Sequence, residues 1–264
     1  MSHSTTFETI QFEINEGLAV LTLNRPESLN SFNSTMHEEM QKALDILTDS
    51  EEVRCLLLTG NGRGFCAGQD LSDKAVLPGG DLGVSIEKYY NPMILKLTAL
   101  PMPVICAVNG VAAGAGANIA FACDIVLAAR SAKFIQAFCK IGLVPDSGGT
   151  FILPRLVGQA RAMGLSLLGD ALSAEQAEQW GMIWKVVDDE AIKEEALKLA
   201  CHLATQPTKG LTLIKQAIRA SLGNDLESQL ELEKASQRQA GYSDDYREGV
   251  EAFLEKRKPE FTGK

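Results

Sequence analysis

The stretch "PMPVICAVNGVAAGAGANIAFACDIVLAA", residues 101–129, reads as strand, small-residue loop, helix and strand. Val104–Val108 and Ile125–Ala129 are apolar without alternation, the pattern of strands covered on both faces, and each is far too short to span a bilayer. Between them, Asn109–Ala120 is rich in glycine and alanine and runs into a helix. The same alternation recurs toward the N-terminus. "VRCLLLTG" is another buried strand, "GNGRGFCAGQDLSD" a glycine-rich loop and Ser85–Leu100 a helix. "ETIQFEI" and "LAVLTLN", separated by the turn signal Glu16-Gly17, predict a hairpin. "STMHEEMQKALDILTDS" places Met36, Met40, Leu44 and Leu47 on one helix face, with Thr35 and Glu38 spaced as a capping box. Strands with intervening helices and no repeat period predict a mixed α/β core. From about Asp188 the pattern is helical alone: Glu190–Thr205, Thr208–Leu222, Asp225–Gln239 and Asp244–Lys256. A core over 1–187 and a helical region over 188–264 are therefore expected, with no Pro, Gly or Ser linker between them.

With 264 residues the chain can form one large domain or a domain with an appended subdomain. Its 45% hydrophobic and 22% charged residues are those of an ordinary globular protein. A formal charge of −9 argues against general nucleic-acid binding, which relies on Lys and Arg to neutralise phosphates. The opening "MSHSTTFETI" lacks the positive-then-apolar order of a secretory signal, so a cytoplasmic protein with no membrane partner is expected. The six cysteines form no CxxC pair and mostly sit in apolar runs, which predicts reduced, buried thiols rather than a disulfide or metal site.

Several chemistries lack their residues. "GAGANI" has Ile119 where a dinucleotide loop needs its third glycine, and no Gly-Lys-Ser/Thr occurs. GxSxG is absent, and His3, His37 and His202 lie in the N-terminal tail and on predicted helices without a convincing nucleophile. No HxxxH or dense carboxylate cluster points to a metal. Two small-residue loops remain, "FCAGQD" (Phe65–Asp70) and Asn109–Ala120. Facing one another, they would let backbone amides approach an oxyanion closely. Such loops also serve tight helix packing, and the residues alone leave both readings open.

"NRPESLNSF", "GRGFCAGQDL", "AVNGVAAGAGANIAFACDIVLAA", "IGLVPDSGGT" and "LLGDALSAEQAEQWGMIWKVV", in this order and spacing, resemble the crotonase, or enoyl-CoA hydratase/isomerase, superfamily over nearly the whole chain. The resemblance implies a spiral of ββα units with a helical C-terminal trimerisation region, as a homotrimer or a dimer of trimers. It implies an acyl-coenzyme A thioester as substrate, so that coenzyme A enters with the substrate and no separate cofactor is needed. The family's oxyanion hole maps to the backbone amides of Gln69 and Ala115. Ala67, through its carbonyl, and its neighbour Gly68 map to contacts with the adenine end of coenzyme A. Phe253 and Lys256 map to residues that reach the coenzyme from an adjacent subunit. This sets a phosphate contact beside the plainer reading of "EKRK" (255–258) as a solvated helix face.

The departures from the family pattern narrow the chemistry. The two glutamates with which its hydratases add water map to Asn118 and Phe138, neither of which is an acid or base. Asn118 is expected to orient a polar group, and Phe138, helped by Tyr89 and Tyr90, to wall the substrate pocket. Asp146 in "GLVPDSGGT" is by residue type a helix N-cap. By resemblance it occupies the position where several family isomerases keep a catalytic carboxylate. One carboxylate suffices to take a proton from one carbon and return it to another. The expected activity is therefore isomerisation. The chain most resembles the branch that converts a ring-epoxidised phenylacetyl thioester to an oxepin in aerobic phenylacetate breakdown. The alternatives are Δ3,Δ2-enoyl-CoA isomerisation, hydration, or a silent acyl-CoA-binding subunit.

Overall fold

A computed structural model describes residues 7–264, so the expectation for His3 lies outside the described residues. Strands β1 (Ile10–Asn15) and β2 (Leu18–Leu23) form the expected antiparallel hairpin. It turns at Glu16 and Gly17, whose φ of 48° and 80° are the left-handed pair that a two-residue hairpin turn demands. Helix α1 (Ser34–Asp49) buries Met36, Met40, Leu44 and Leu47. Its cap is not the Thr35–Glu38 pairing. The chain is extended at Asn33, whose Oδ1 accepts the Met36 amide at 2.9 Å, and Thr35 falls inside the first turn.

Strand β3 (Cys55–Gly60) leads into β4 (Gly64–Cys66), which lies within the predicted glycine loop. The segment expected as one helix over 85–100 starts earlier and is interrupted: α2 (Leu82–Ser85), a π-helical turn over Ile86–Tyr90, and α3 (Asn91–Ala99). Then follow β5 (Val104–Val108), β6 (Val111–Ala113), α4 (Ala115–Ala122), β7 (Ile125–Ala129) and β8 (Lys133–Ile135). Next come α5 (Gly149–Val157), α6 (Gln159–Leu168), β9 (Ala171–Ser173), α7 (Ala174–Gln179) and β10 (Lys185–Val187). The chain closes with α8 (Ile192–Ala204), α9 (Thr208–Ala220), α10 (Leu226–Gly241) and α11 (Asp244–Glu255).

The larger sheet has the order β1-β2-β3-β5-β7-β10, and every pair after the hairpin is parallel. The smaller sheet has the order β4-β6-β8-β9. The pairs β3-β4, β5-β6 and β7-β8 each give one strand to the large sheet and one to the small sheet before a helix follows, as in β5-β6-α4. This is the ββα spiral that the resemblance implied. The strands β3, β5 and β7 are covered on both sides, which is why they lack polar alternation.

The C-terminal helices differ in how they attach. Ile192, Ala196, Ala200 and Ala204 of α8 belong to the main core. Helix α9 is pinned by ions: Lys215 Nζ reaches Asp124 Oδ2 at 2.9 Å and the Met102 carbonyl at 3.0 Å, and Arg219 reaches Asp124 Oδ1 at 2.8 Å. Helix α10 buries no residue. No helix among the described residues is long and apolar enough to cross a membrane.

Candidate active site

The two small-residue loops do face one another, backbone against backbone. A Cβ on Gly116 would sit 2.3 Å from the Cys66 carbonyl oxygen, and one on Gly68, where φ is +90°, would sit 2.9 Å from the Ala113 oxygen and 3.3 Å from the Ala115 nitrogen. Only glycine permits that approach. The Phe32 amide donates to the Gly68 carbonyl at 2.7 Å and the Asp70 amide to the Phe32 carbonyl at 2.8 Å, a single parallel bridge. In such a bridge the intervening residue points its own N–H to the opposite side, so the Gln69 amide is turned away from Phe32. Ala115 opens α4, and the first amide of a helix has no acceptor within it. Two amide donors thus stand on adjoining loops, a geometry suited to charge developing on a carbonyl oxygen.

Asp146 precedes α5, but it does not cap it. Gly148 takes the cap position with φ +76° and no side-chain bond, and Ser147 is also left-handed at φ +50°. The carboxylate keeps one side-chain partner among the described residues, Ser147 Oγ, which donates to Oδ1 at 2.9 Å. Burial raises the Asp146 pKa above the ordinary carboxylate range, and the bonds from Ser147 and from its own amide offset this only in part. A desolvated carboxylate is equipped to exchange a proton.

The Asn118 amide is bonded at both ends within the protein. It is 0% exposed; Nδ2 donates to the Asp146 carbonyl at 2.8 Å, and Oδ1 accepts from Gln136 Nε2 at 2.9 Å. It is thereby tied to the loop that carries Asp146. Gly149 makes room for it, since a Cβ there would lie 2.3 Å from Asn118 Nδ2. Gln136 escaped the sequence reading, because nothing in its neighbours marks a buried amide.

Phe138 lies on a short 3-10 turn, Ala137–Ile141, with its ring edge 3.8 Å from where a Gly114 Cβ would stand. It is buried beside the start of α4. Tyr90 donates to Gln69 Oε1 at 2.9 Å. Its phenol is pushed well above its usual pKa by burial, then by Cys66 and by Asp146, which places it in the field of the carboxylate. Tyr89 stacks on His37, with ring centroids 4.8 Å apart. Ala67 and Gly68 lie on the first loop, where the Ala67 amide donates to the Leu29 carbonyl at 2.9 Å. Phe253, 83% exposed, and Lys256 stand at the C-terminal end of α11 and make no hydrogen bond to the two loops.

The family description enoyl-CoA hydratase/isomerase matches residues 13–264. The chain is 62% identical over 260 residues to the 1,2-epoxyphenylacetyl-CoA isomerase of Escherichia coli (strain K12), covering 97% of this chain and 99% of that protein. It is 35% identical to the mitochondrial enoyl-CoA hydratase of Pongo abelii, over 94% of this chain and 84% of that one. Among solved structures, an enoyl-CoA hydratase from Bacillus anthracis superposes with a TM-score of 0.93 at 32% identity, covering 97% of this chain and 100% of its own.

Proposed function

The chain belongs to the enoyl-CoA hydratase/isomerase family, and from that premise we propose that it is an isomerase converting ring 1,2-epoxyphenylacetyl-CoA to an oxepin thioester of unchanged mass. The observation that carries the reading is a single desolvated carboxylate, Asp146, in a site whose hydratase positions hold Asn118 and Phe138. Asp146 removes a proton from substrate carbon, and the Gln69 and Ala115 amides hold the thioester oxygen as it takes up charge. Donors aimed at developing charge each contribute about 3–4 kcal/mol. The ring C–C bond shared with the epoxide opens, its electron pair passing into the double bonds of the seven-membered ring. The protonated Asp146 returns its proton at another carbon, so that atoms and electrons are conserved. Phe138 keeps water out and offers the ring an apolar wall. A Δ3,Δ2-enoyl-CoA isomerase activity uses the same single base, and turnover on aliphatic against ring substrates separates the two.

Coenzyme A is part of the substrate and no separate cofactor is required. Ala67 and Gly68 meet its adenine end, and Phe253 and Lys256 reach it from a neighbouring subunit in a trimer. The exposure of Phe253 supports that assignment. So does an apolar groove of about 560 Å3 whose lining includes the exposed Phe151, Ile214, Ile218 and Leu222, since exposed apolar patches of this kind mark contact surfaces. The working environment is the cytoplasm.

The test is chromatography with mass detection on wild-type and Asp146→Asn protein given freshly generated ring-epoxide phenylacetyl-CoA. A new peak of unchanged mass with the wild type and none with the variant is expected. A water adduct would mean a hydratase, no product would mean a silent acyl-CoA binder, and full turnover by the folded variant would remove Asp146 from the mechanism.

A further inference from the structure

The side chain of Gln69 is held by groups that the reaction itself does not use. Gln69 Oε1 accepts from the Tyr90 hydroxyl at 2.9 Å and lies 3.1 Å from His37 Nε2. The other end of the amide, Nε2, points at the Asp70 carbonyl at 3.4 Å, which identifies Oε1 as the oxygen. An amide oxygen only accepts, so the His37 proton sits on Nε2. Two donors therefore converge on one oxygen. Both are 2% exposed, and His37 Nδ1 has no partner among the described residues. The imidazole is wedged between the Tyr89 face at 4.8 Å, the Tyr90 ring edge-on at 4.5 Å and Phe32 at 4.9 Å. Burial lowers its pKa to about 4, so it remains a neutral donor at physiological pH.

Tyr89 and Tyr90 are consecutive, yet one meets His37 by its face and the other by its edge. Both sit in the π turn over Ile86–Tyr90, whose wider winding alters the side-chain directions that an uninterrupted α-helix would impose. The backbone of Gln69 is already fixed on one side by the Phe32 bridge. Clamping its side chain removes the remaining freedom to rotate the peptide that carries the N–H.

We propose that Tyr90 and His37 are positioning residues that hold the Gln69 amide on the thioester oxygen by sharing the Gln69 side-chain oxygen, and that the π turn is the device that supplies Tyr90. The inference rests on the reading above in which the Gln69 N–H serves the substrate carbonyl.

A double-mutant cycle on the whole enzyme tests it: Tyr90→Phe, Gln69→Leu and the pair, with thermal midpoints recorded for each. Tyr90→Phe is expected to lower kcat roughly 10- to 100-fold with KM little changed, because a slight misaim of a donor acts on the transition state. With Gln69→Leu already present, Tyr90→Phe should cost nothing more. Fully additive losses, or wild-type kcat in Tyr90→Phe, overturn the clamp. A second readout needs only binding: the infrared carbonyl band of phenylacetyl-CoA carrying 13C at the thioester carbon. The band should shift to lower frequency on the wild type and shift less on Tyr90→Phe. A shifted band without ring-epoxide turnover would sink the proposed substrate alone, and the clamp would then be decided by the variant's band. An equal shift in both proteins overturns the clamp, and no bound or converted thioester at all overturns both readings.

Discussion

Asp146 is held in a state that costs the fold something. Its pKa is raised above the unfolded value, so the folded protein binds this proton more readily than the unfolded chain does. The stability linked to it is present below the unfolded pKa and is lost as pH rises through the folded one. At neutral pH the charge is therefore a liability that Asp146→Asn removes, while Asn Oδ1 still accepts from Ser147 Oγ. A thermal midpoint at pH 7 equal to or above that of the wild type is expected, together with loss of turnover; a clear fall in midpoint would contradict it. In the wild type, kcat/KM should decline on the acid side at a pH above that of an ordinary aspartate, since the base must start deprotonated. Asp146 itself was legible from its motif. Its helix-capping reading failed because the left-handed Ser147-Gly148 pair turns the chain before α5 starts. Neither that turn nor the contact from Asn118 has a signature in residue order.

Between elements, the decisive contact is the one that α4 makes with the start of α5. Asn118 crosses from α4 to the Asp146 carbonyl only because Gly149 has no side chain. Gly149→Ala should displace the Asn118 amide, destabilise the protein by about 1–3 kcal/mol in denaturant titrations, and lower kcat as the Asp146 loop loosens. Unchanged stability and turnover would mean that α5 shifts freely, against this account. The long elements were readable because α1 and β3 carry enough residues to show a period or an unbroken apolar run. The small sheet was not. Strands β4, β6, β8 and β9 have three residues each, too few for a pattern, and the π turn before α3 has no sequence mark at all.

At the scale of the whole molecule, the C-terminal helices join the core by different means. Helix α8 is buried by small side chains, whereas α9 hangs on Asp124, which also accepts the Val104 amide at 2.9 Å. Asp124→Ala would leave Lys215 buried without its counter-charge. A loss of about 3–5 kcal/mol is expected in chemical denaturation, with α9 the first part to become sensitive to protease. A loss below about 1 kcal/mol would show that water replaces the carboxylate. The run of helices after residue 188 was plain in the sequence, but which of them belong to the core was not, because that depends on the spacing of alanines against a sheet distant in the chain. Cysteine burial has its own chemical consequence. Cys66 belongs to the first loop with its side chain buried, the Gly68 amide approaches its sulfur at 3.4 Å, and burial pushes its thiol, like that of Cys55, up to about 12. Epoxides alkylate thiolates, and a sulfur kept protonated and sealed from the pocket is no nucleophile. On the proposed function, the catalyst is thereby spared suicide by the strained ring that it was built to admit.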